Sequence, residues 1–244
     1  MNFRYIQEIE KRIKQLGETE KNTLEEAASH IIRTLRQDGM IHIFGTGHSH
    51  LLAEEAFYRA GGLVSVRPIL IEELMLHESA WRSSEIERQE GYAENFMKDQ
   101  PVADIDTVIV VSTSGRNPVP VDVAKISKEK GASVIAITSK AYAATQSSRH
   151  PSGKFLMDMA DCALDNHSPV GDAVLSHPNL DTPYSPTSTV MGAILLHTIL
   201  SEAIEKLAEE NFPLPILKSG NVDKADEHNK ALLERYKTRN ELLQ

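Results

Sequence analysis

The run Val108-Ile-Val-Val111 carries no polar residue and opens at once into Ser112-Thr-Ser-Gly-Arg-Asn117. A strand without polar alternation is usually buried on both faces, as in a parallel sheet. Parallel strands need a long crossover, most often a helix. Pro118-Val-Pro-Val-Asp-Val-Ala-Lys-Ile-Ser127 reads as one, with proline in the first turn, where a missing N–H costs nothing. The same order occurs upstream. Met40-Ile-His-Ile-Phe44 ends in Gly45-Thr-Gly-His-Ser-His50, and a helix is predicted over 51–60. Residues 63–70, 133–138 and 161–165 read as further strands. Strands alternating with helices through right-handed crossovers predict an α/β fold, a parallel sheet with helices on both faces.

Ligands of such sheets bind outside the carboxyl ends of the strands, near the reversal in strand order. Both glycine- and hydroxyl-rich loops fall at carboxyl ends. Ser112, Thr113, Ser114, Gly115 and Asn117 precede a helix N-terminus, where free N–H groups and the dipole favour an anion. The loop lacks the lysine of a G-x-x-x-x-G-K-[ST] sequence, so a phosphate monoester fits better than a nucleoside triphosphate. The plain alternative is a capped turn, since serine and threonine cap many helices. In the first loop His50 stands where a dinucleotide fingerprint has its third glycine, which argues against a nicotinamide cofactor. Ser49 is expected to cap the following helix and face a ligand. A third hydroxyl cluster, Tyr184-Ser-Pro-Thr-Ser-Thr189, precedes the apolar helix 190–200, which His197 interrupts.

The remaining segments read as follows. Residues 2–37 are amphipathic helices, and 223–242 is a polar helix with Ala231, Leu232 and Tyr236 inward. Residues 166–186 read as loop. The polar stretch up to Gln100, with Trp81, Glu78 and Glu90, is longer than a crossover requires and is expected over the site's mouth or at a subunit contact. One domain, 1–244, is expected, with its core over about 30–210. A net charge of −9 without a basic run argues against nucleic acid. The single cysteine, Cys162, excludes an internal disulfide and reads as a packing residue. The N-terminus has no apolar signal core and no run reaches membrane-spanning length, so a cytoplasmic protein is expected, with no membrane partner. The pairs His48/His50 and His77/Glu78 fall short of three converging ligands, so neither a metal nor any other cofactor is expected.

Gly45-Thr-Gly-His-Ser49, Ser112-Thr-Ser-Gly115 and Ser185/Thr187/Ser188 ahead of a helix together resemble the SIS (sugar isomerase) domain, in the family's order and strand context. The style is most similar to the UPF0309 group, and more distantly to phosphoheptose isomerases and N-acetylmuramic acid 6-phosphate etherases. The resemblance implies a three-layer α-β-α fold with a five-stranded, flavodoxin-like parallel sheet and added N- and C-terminal helices. It implies a homodimer or homotetramer and a phosphorylated sugar as ligand. Ser112, Thr113, Ser114 and Asn117 would hold the phosphate. Gly47, His48 and Ser49, with Ser185, Thr187 and Ser188, would meet the rest of the ligand. The implied activity is aldose–ketose isomerisation or a related lyase reaction, and the alternative is a non-catalytic phosphosugar sensor. Isomerisation needs a base and an acid. His197 matches the histidine of the isomerases' late helix, but Arg59 stands where they have a glutamate. Glu55, Glu78 and Glu90 are the remaining candidates for a catalytic carboxylate.

Overall fold

The chain is described by a computed structural model over residues 3–244, so residue 2 of the expected N-terminal helix lies outside the described part. Two helices, α1 (Arg4–Thr19) and α2 (Lys21–Arg36), lead into β1 (Ile41–Gly45) and α3 (Leu51–Ala56). The chain continues through β2 (Val66–Ile69), α4 (Leu76–Ile86), α5 (Tyr92–Met97), β3 (Thr107–Val111) and α6 (Pro118–Glu129). Then come β4 (Ser133–Thr138), α7 (Lys140–Thr145), α8 (Leu156–Met159) and β5 (Cys162–Asp165). A hairpin of β6 (Ala173–Leu175) and β7 (Tyr184–Pro186) precedes α9 (Ser188–Glu209) and α10 (Ala225–Tyr236).

The five expected strands form one sheet in the order β2-β1-β3-β4-β5, every pair parallel. Both faces are covered, which is why the strands lack polar alternation. Ile41, Ile43, Ile109, Val111, Ile135 and Ile137 point into the core beneath α2, α3 and α9. Phe44, Val108, Val110, Val134 and Ala136 point into the opposite core, beneath α5 and α6. This is the three-layer α/β architecture expected of the chain.

Local details differ from expectation. The helix after the first loop stops at Ala56, not Ala60, because Phe57 is extended and Tyr58 takes φ 46°. Residues 166–186 are not all loop but include the β6–β7 hairpin. The C-terminal helix ends at Tyr236, and Glu241–Leu243 forms a separate 3-10 turn. Ala231 is exposed there, and Leu233 packs inward beside Leu232 and Tyr236. Cys162 is buried, and burial, helped by Glu26 and Glu20, pushes its thiol up to about 12, consistent with packing rather than nucleophilic chemistry.

Candidate functional site

Strand order reverses between β1 and β3, and their last residues, Gly45 and Val111, stand side by side. The first and second hydroxyl-rich loops therefore meet at the switch point of the sheet, where such folds bind ligands. In the second loop Gly115 has φ 57°, and a Cβ on it would lie 2.7 Å from the Thr138 hydroxyl. Its N–H donates to Ser112 Oγ at 3.2 Å, and its carbonyl accepts the Leu156 N–H at 2.7 Å. The Thr113 carbonyl accepts the Ser139 N–H at 2.9 Å, while Thr113 Oγ1 accepts from Asn166 Nδ2 at 3.3 Å. The loop is thus fastened from below by β4 and β5. Thr113 and Ser114 remain half-buried, whereas Ser112 is buried.

The helix behind this loop contributes less than expected. Pro118 and Pro120 have no N–H, and the Val119 N–H is taken by the Glu87 carbonyl at 3.2 Å. An anion here would rely on the loop's own amides and hydroxyls, with only the dipole of α6 behind them. Asn117 is buried, and its side chain does not cap the helix; it accepts a hydrogen bond from Arg149 at 3.0 Å.

The first loop is a 3-10 turn, Gly47–His50, running into α3. A Cβ on Gly45 would sit 2.5 Å from the Ser49 carbonyl carbon, so only glycine permits this return. Ser49 is half-buried and caps nothing, contrary to expectation. His48 is exposed. His50 is buried, its Nδ1 held by the Gly47 carbonyl and its Nε2 3.4 Å from Glu54 Oε1. Leu76, opening α4, borders Gly47, so the start of this helix packs beside the first loop. Glu78, two residues on, is exposed beside His77, and Glu90 is exposed beyond the end of α4.

The third hydroxyl cluster is engaged by the protein itself. Thr187 is fully buried, and its hydroxyl donates to Asp172 Oδ1 at 3.1 Å. Ser188 Oγ donates to Asp172 Oδ2 at 2.5 Å, and the N–H groups of both residues also reach this carboxylate. The N-terminus of α9 therefore already holds an anion, the chain's own. Ser185, at φ 69° in β7, is half-buried. A hydrogen-bond chain joins this cluster to the second loop. Ser168 Oγ lies 3.0 Å from Thr187 Oγ1, Ser168 N–H donates to Asn166 Oδ1 at 3.0 Å, and Asn166 reaches Thr113. Sequence reasoning missed Asp172, Asn166 and Ser168, because polar residues in a proline-containing stretch look like ordinary loop.

His197 and Glu55 do meet: Nε2 lies 3.2 Å from Oε1, and Arg59 pairs with the same carboxylate. Burial, then the Arg59 charge, holds the imidazole below its ordinary value, so the ring is neutral near pH 7. The pair stands apart from the third hydroxyl cluster: His197 is nine residues into α9 from Ser188, roughly 13 Å along the axis. Glu54, facing His50, is the carboxylate beside the first loop.

The family model for the SIS domain matches residues 4–139. A UPF0309 protein of Halalkalibacterium halodurans is 52% identical over 98% of this chain and 96% of its own length. The chain is a SIS-domain protein of the UPF0309 family. A UPF0309 protein of Listeria innocua is 51% identical over 98% of this SIS protein and 97% of its own length. Among solved structures, a phosphoheptose isomerase from Francisella tularensis matches with TM-score 0.52 at 16% identity, covering 82% of this chain and 95% of that one. The sugar isomerase domain of an RpiR transcription factor from Sphaerobacter thermophilus matches with TM-score 0.50 at 13% identity, covering 96% and 97%. These likenesses establish the SIS fold. No helix among the described residues is long and apolar enough to cross a membrane.

Proposed function

We propose that this SIS protein binds a phosphorylated sugar between the β1 and β3 loops and isomerises it between aldose and ketose. The observation that carries the reading is the second loop: Gly115 in a conformation only glycine adopts cheaply, with Thr113 and Ser114 left at the switch point. In this reading Ser112, Thr113 and Ser114 take the phosphate, and Gly47, His48 and Ser49 meet the sugar. Asn117, Thr187 and Ser188 support these loops rather than touch the ligand, since protein partners hold their side chains. The names of structural neighbours, a phosphoheptose isomerase and the sugar isomerase domain of a regulator, agree with a sugar phosphate ligand. Proton transfer between neighbouring carbons falls to an imidazole and a carboxylate, either His197 with Glu55 or His50 with Glu54. A cytoplasmic location belongs to the same reading, with Cys162 kept as a buried thiol.

Binding without turnover is the second reading, and one observation favours it: Arg59 pairs with the Glu55 carboxylate that faces His197, so the chain's own guanidinium already engages the carboxylate that proton transfer would need. A thermal-shift panel of sugar phosphates, with the unphosphorylated sugars as controls, tests the shared part. A ligand at a hundredfold excess over its dissociation constant raises stability by ~2.7 kcal/mol. A shift seen only with phosphorylated sugars, and lost in Ser114→Ala, supports the site, whereas no shift with any of them refutes it. NMR of the bound sugar over long incubation then separates the readings. Loss of interconversion in His197→Ala with binding retained assigns that residue, and loss in Glu54→Gln instead assigns the first-loop pair. Saturable binding without product leaves a sensor.

A further inference from the structure

Glu20, Asp165 and His167 are far apart in the sequence but meet at the carboxyl end of β5, one donor atom of each within 4.8 Å of the others. Glu20, between α1 and α2, is 3% exposed and Asp165 is 8% exposed. Two desolvated carboxylates side by side are costly unless a cation joins them. Lys140 supplies part of it, with Nζ 3.1 and 3.4 Å from the two oxygens of Glu20. Asp165 is less well served. Its Oδ1 accepts the N–H groups of Lys140 at 3.2 Å and His167 at 3.0 Å, but its Oδ2 faces His167 Nδ1 at 3.4 Å.

The His167 ring is gripped on its outer side, where Nε2 lies 2.9 Å from the Thr19 hydroxyl. Its inner nitrogen, Nδ1, belongs to a side chain only 10% exposed and lies 3.4 Å from both Asp165 Oδ2 and Gln15 Nε2, each distance long for a hydrogen bond. A cation seated beside Nδ1 would take this nitrogen and the two carboxylates together. Metal-ligating histidines commonly have the other ring nitrogen held in this way by an outer group, the role Thr19 fills.

We propose that Glu20, Asp165 and His167 form a binding site for a divalent transition ion, Zn2+ or Mn2+. One imidazole and two carboxylates suit these ions, and the nitrogen ligand favours them over Mg2+. The double charge balances both carboxylates. Lys140, whose side chain is 43% exposed, gives up Glu20 for solvent when the ion enters. The site stands independently of the sugar phosphate reading. It is nevertheless its neighbour, because Asn166 and Ser168 flank His167 and reach Thr113 and Thr187.

Isothermal titration of the full chain, first stripped with a chelator, tests this with ZnCl2, MnCl2 and MgCl2. The expected result is one saturable equivalent of Zn2+ or Mn2+ per chain and weaker binding of Mg2+. His167→Ala and Glu20→Gln, each checked for folding by circular dichroism, weaken it at least about tenfold. Lys140→Ala, which removes the competing ammonium, tightens it, the opposite of what a plain ion pair gives. No saturable binding overturns the proposal, as does an affinity unchanged in His167→Ala or weakened in Lys140→Ala. Loss of the heat in His48→Ala or His77→Ala instead also overturns it, by placing the ion on the surface histidines.

Discussion

Gly115 lets the second loop turn back on β4. Any side chain there would have to hold φ 57° and displace the Thr138 hydroxyl at 2.7 Å. Gly115→Ala is expected to cost ~1–3 kcal/mol, the usual range for a strained left-handed residue, and to weaken sugar phosphate binding as well. Urea denaturation alongside the thermal-shift panel checks both. Asp172 has a different task. It neutralises the N-terminus of α9 and accepts from the buried Thr187, so Asp172→Ala should cost ~1–2 kcal/mol, as loss of a helix cap does. An unchanged urea midpoint would show that the cap is dispensable.

At the scale of elements, the C-terminal segment closes the amino end of the sheet. Arg239 places Nη2 2.9 and 2.8 Å from the two oxygens of Asp106, which is fully buried and also receives His42 Nε2 at 3.1 Å. The Met40 and Ala103 amides complete its shell, both at 2.8 Å. Removing one partner of a buried pair leaves an uncompensated charge, so Arg239→Met should destabilise the protein by ~3–5 kcal/mol. A loss below 1 kcal/mol in chemical denaturation would show that His42 and the amides suffice. The segment was legible from its sequence only as a polar helix with a short inner face. Arg239 and Asp106 are separated by more than half the chain, and no local pattern announces that they meet.

For the whole molecule, pH dependence follows from buried histidines. Burial holds the His42 and His30 rings below their ordinary value, against the pull of Asp106 on the first and Asp161 on the second. The unfolded chain then binds more protons than the folded one. Stability is complete above the unfolded value of about 6.5 and declines as pH falls below it toward the folded values. Asp106 moves the other way: burial opposes its charge, but the hydrogen bonds from His42, Met40 and Ala103 outweigh it and hold it low. Its contribution is present above about 3.9 and is lost only in stronger acid. Melting temperature should therefore be flat from pH 8 to 7 and fall below about 6.5, less so in His42→Asn. A flat profile down to pH 5 would contradict this. Assembly belongs to the same scale. Phe3, just before α1, and Ile6 and Ile13 on it are 61%, 53% and 43% exposed, an apolar face that the described residues leave uncovered. Sedimentation should give a dimer or tetramer at micromolar concentration, and Ile6→Glu with Ile13→Glu should dissociate it while leaving helix content unchanged. A monomeric parent would refute the expectation.

What the sequence by itself determined was the sheet and the position of its loops. Apolar runs without alternation, each followed by glycine and hydroxyls and then by a helix, leave a doubly covered parallel sheet as the way to bury every strand. Those signals are local, within about ten residues, and so they survive being read along the chain. What only the tertiary structure decided was how each loop is used. Asp172 takes the third helix N-terminus, two prolines and Glu87 remove most free amides from α6, and His197 of α9 meets Glu55 of α3. Glu20, Asp165 and His167 look unrelated until α1, α2 and β5 pack together. Pairings of this kind depend on which polar groups are desolvated in company, and desolvation is a property of the packed molecule rather than of any stretch of its sequence.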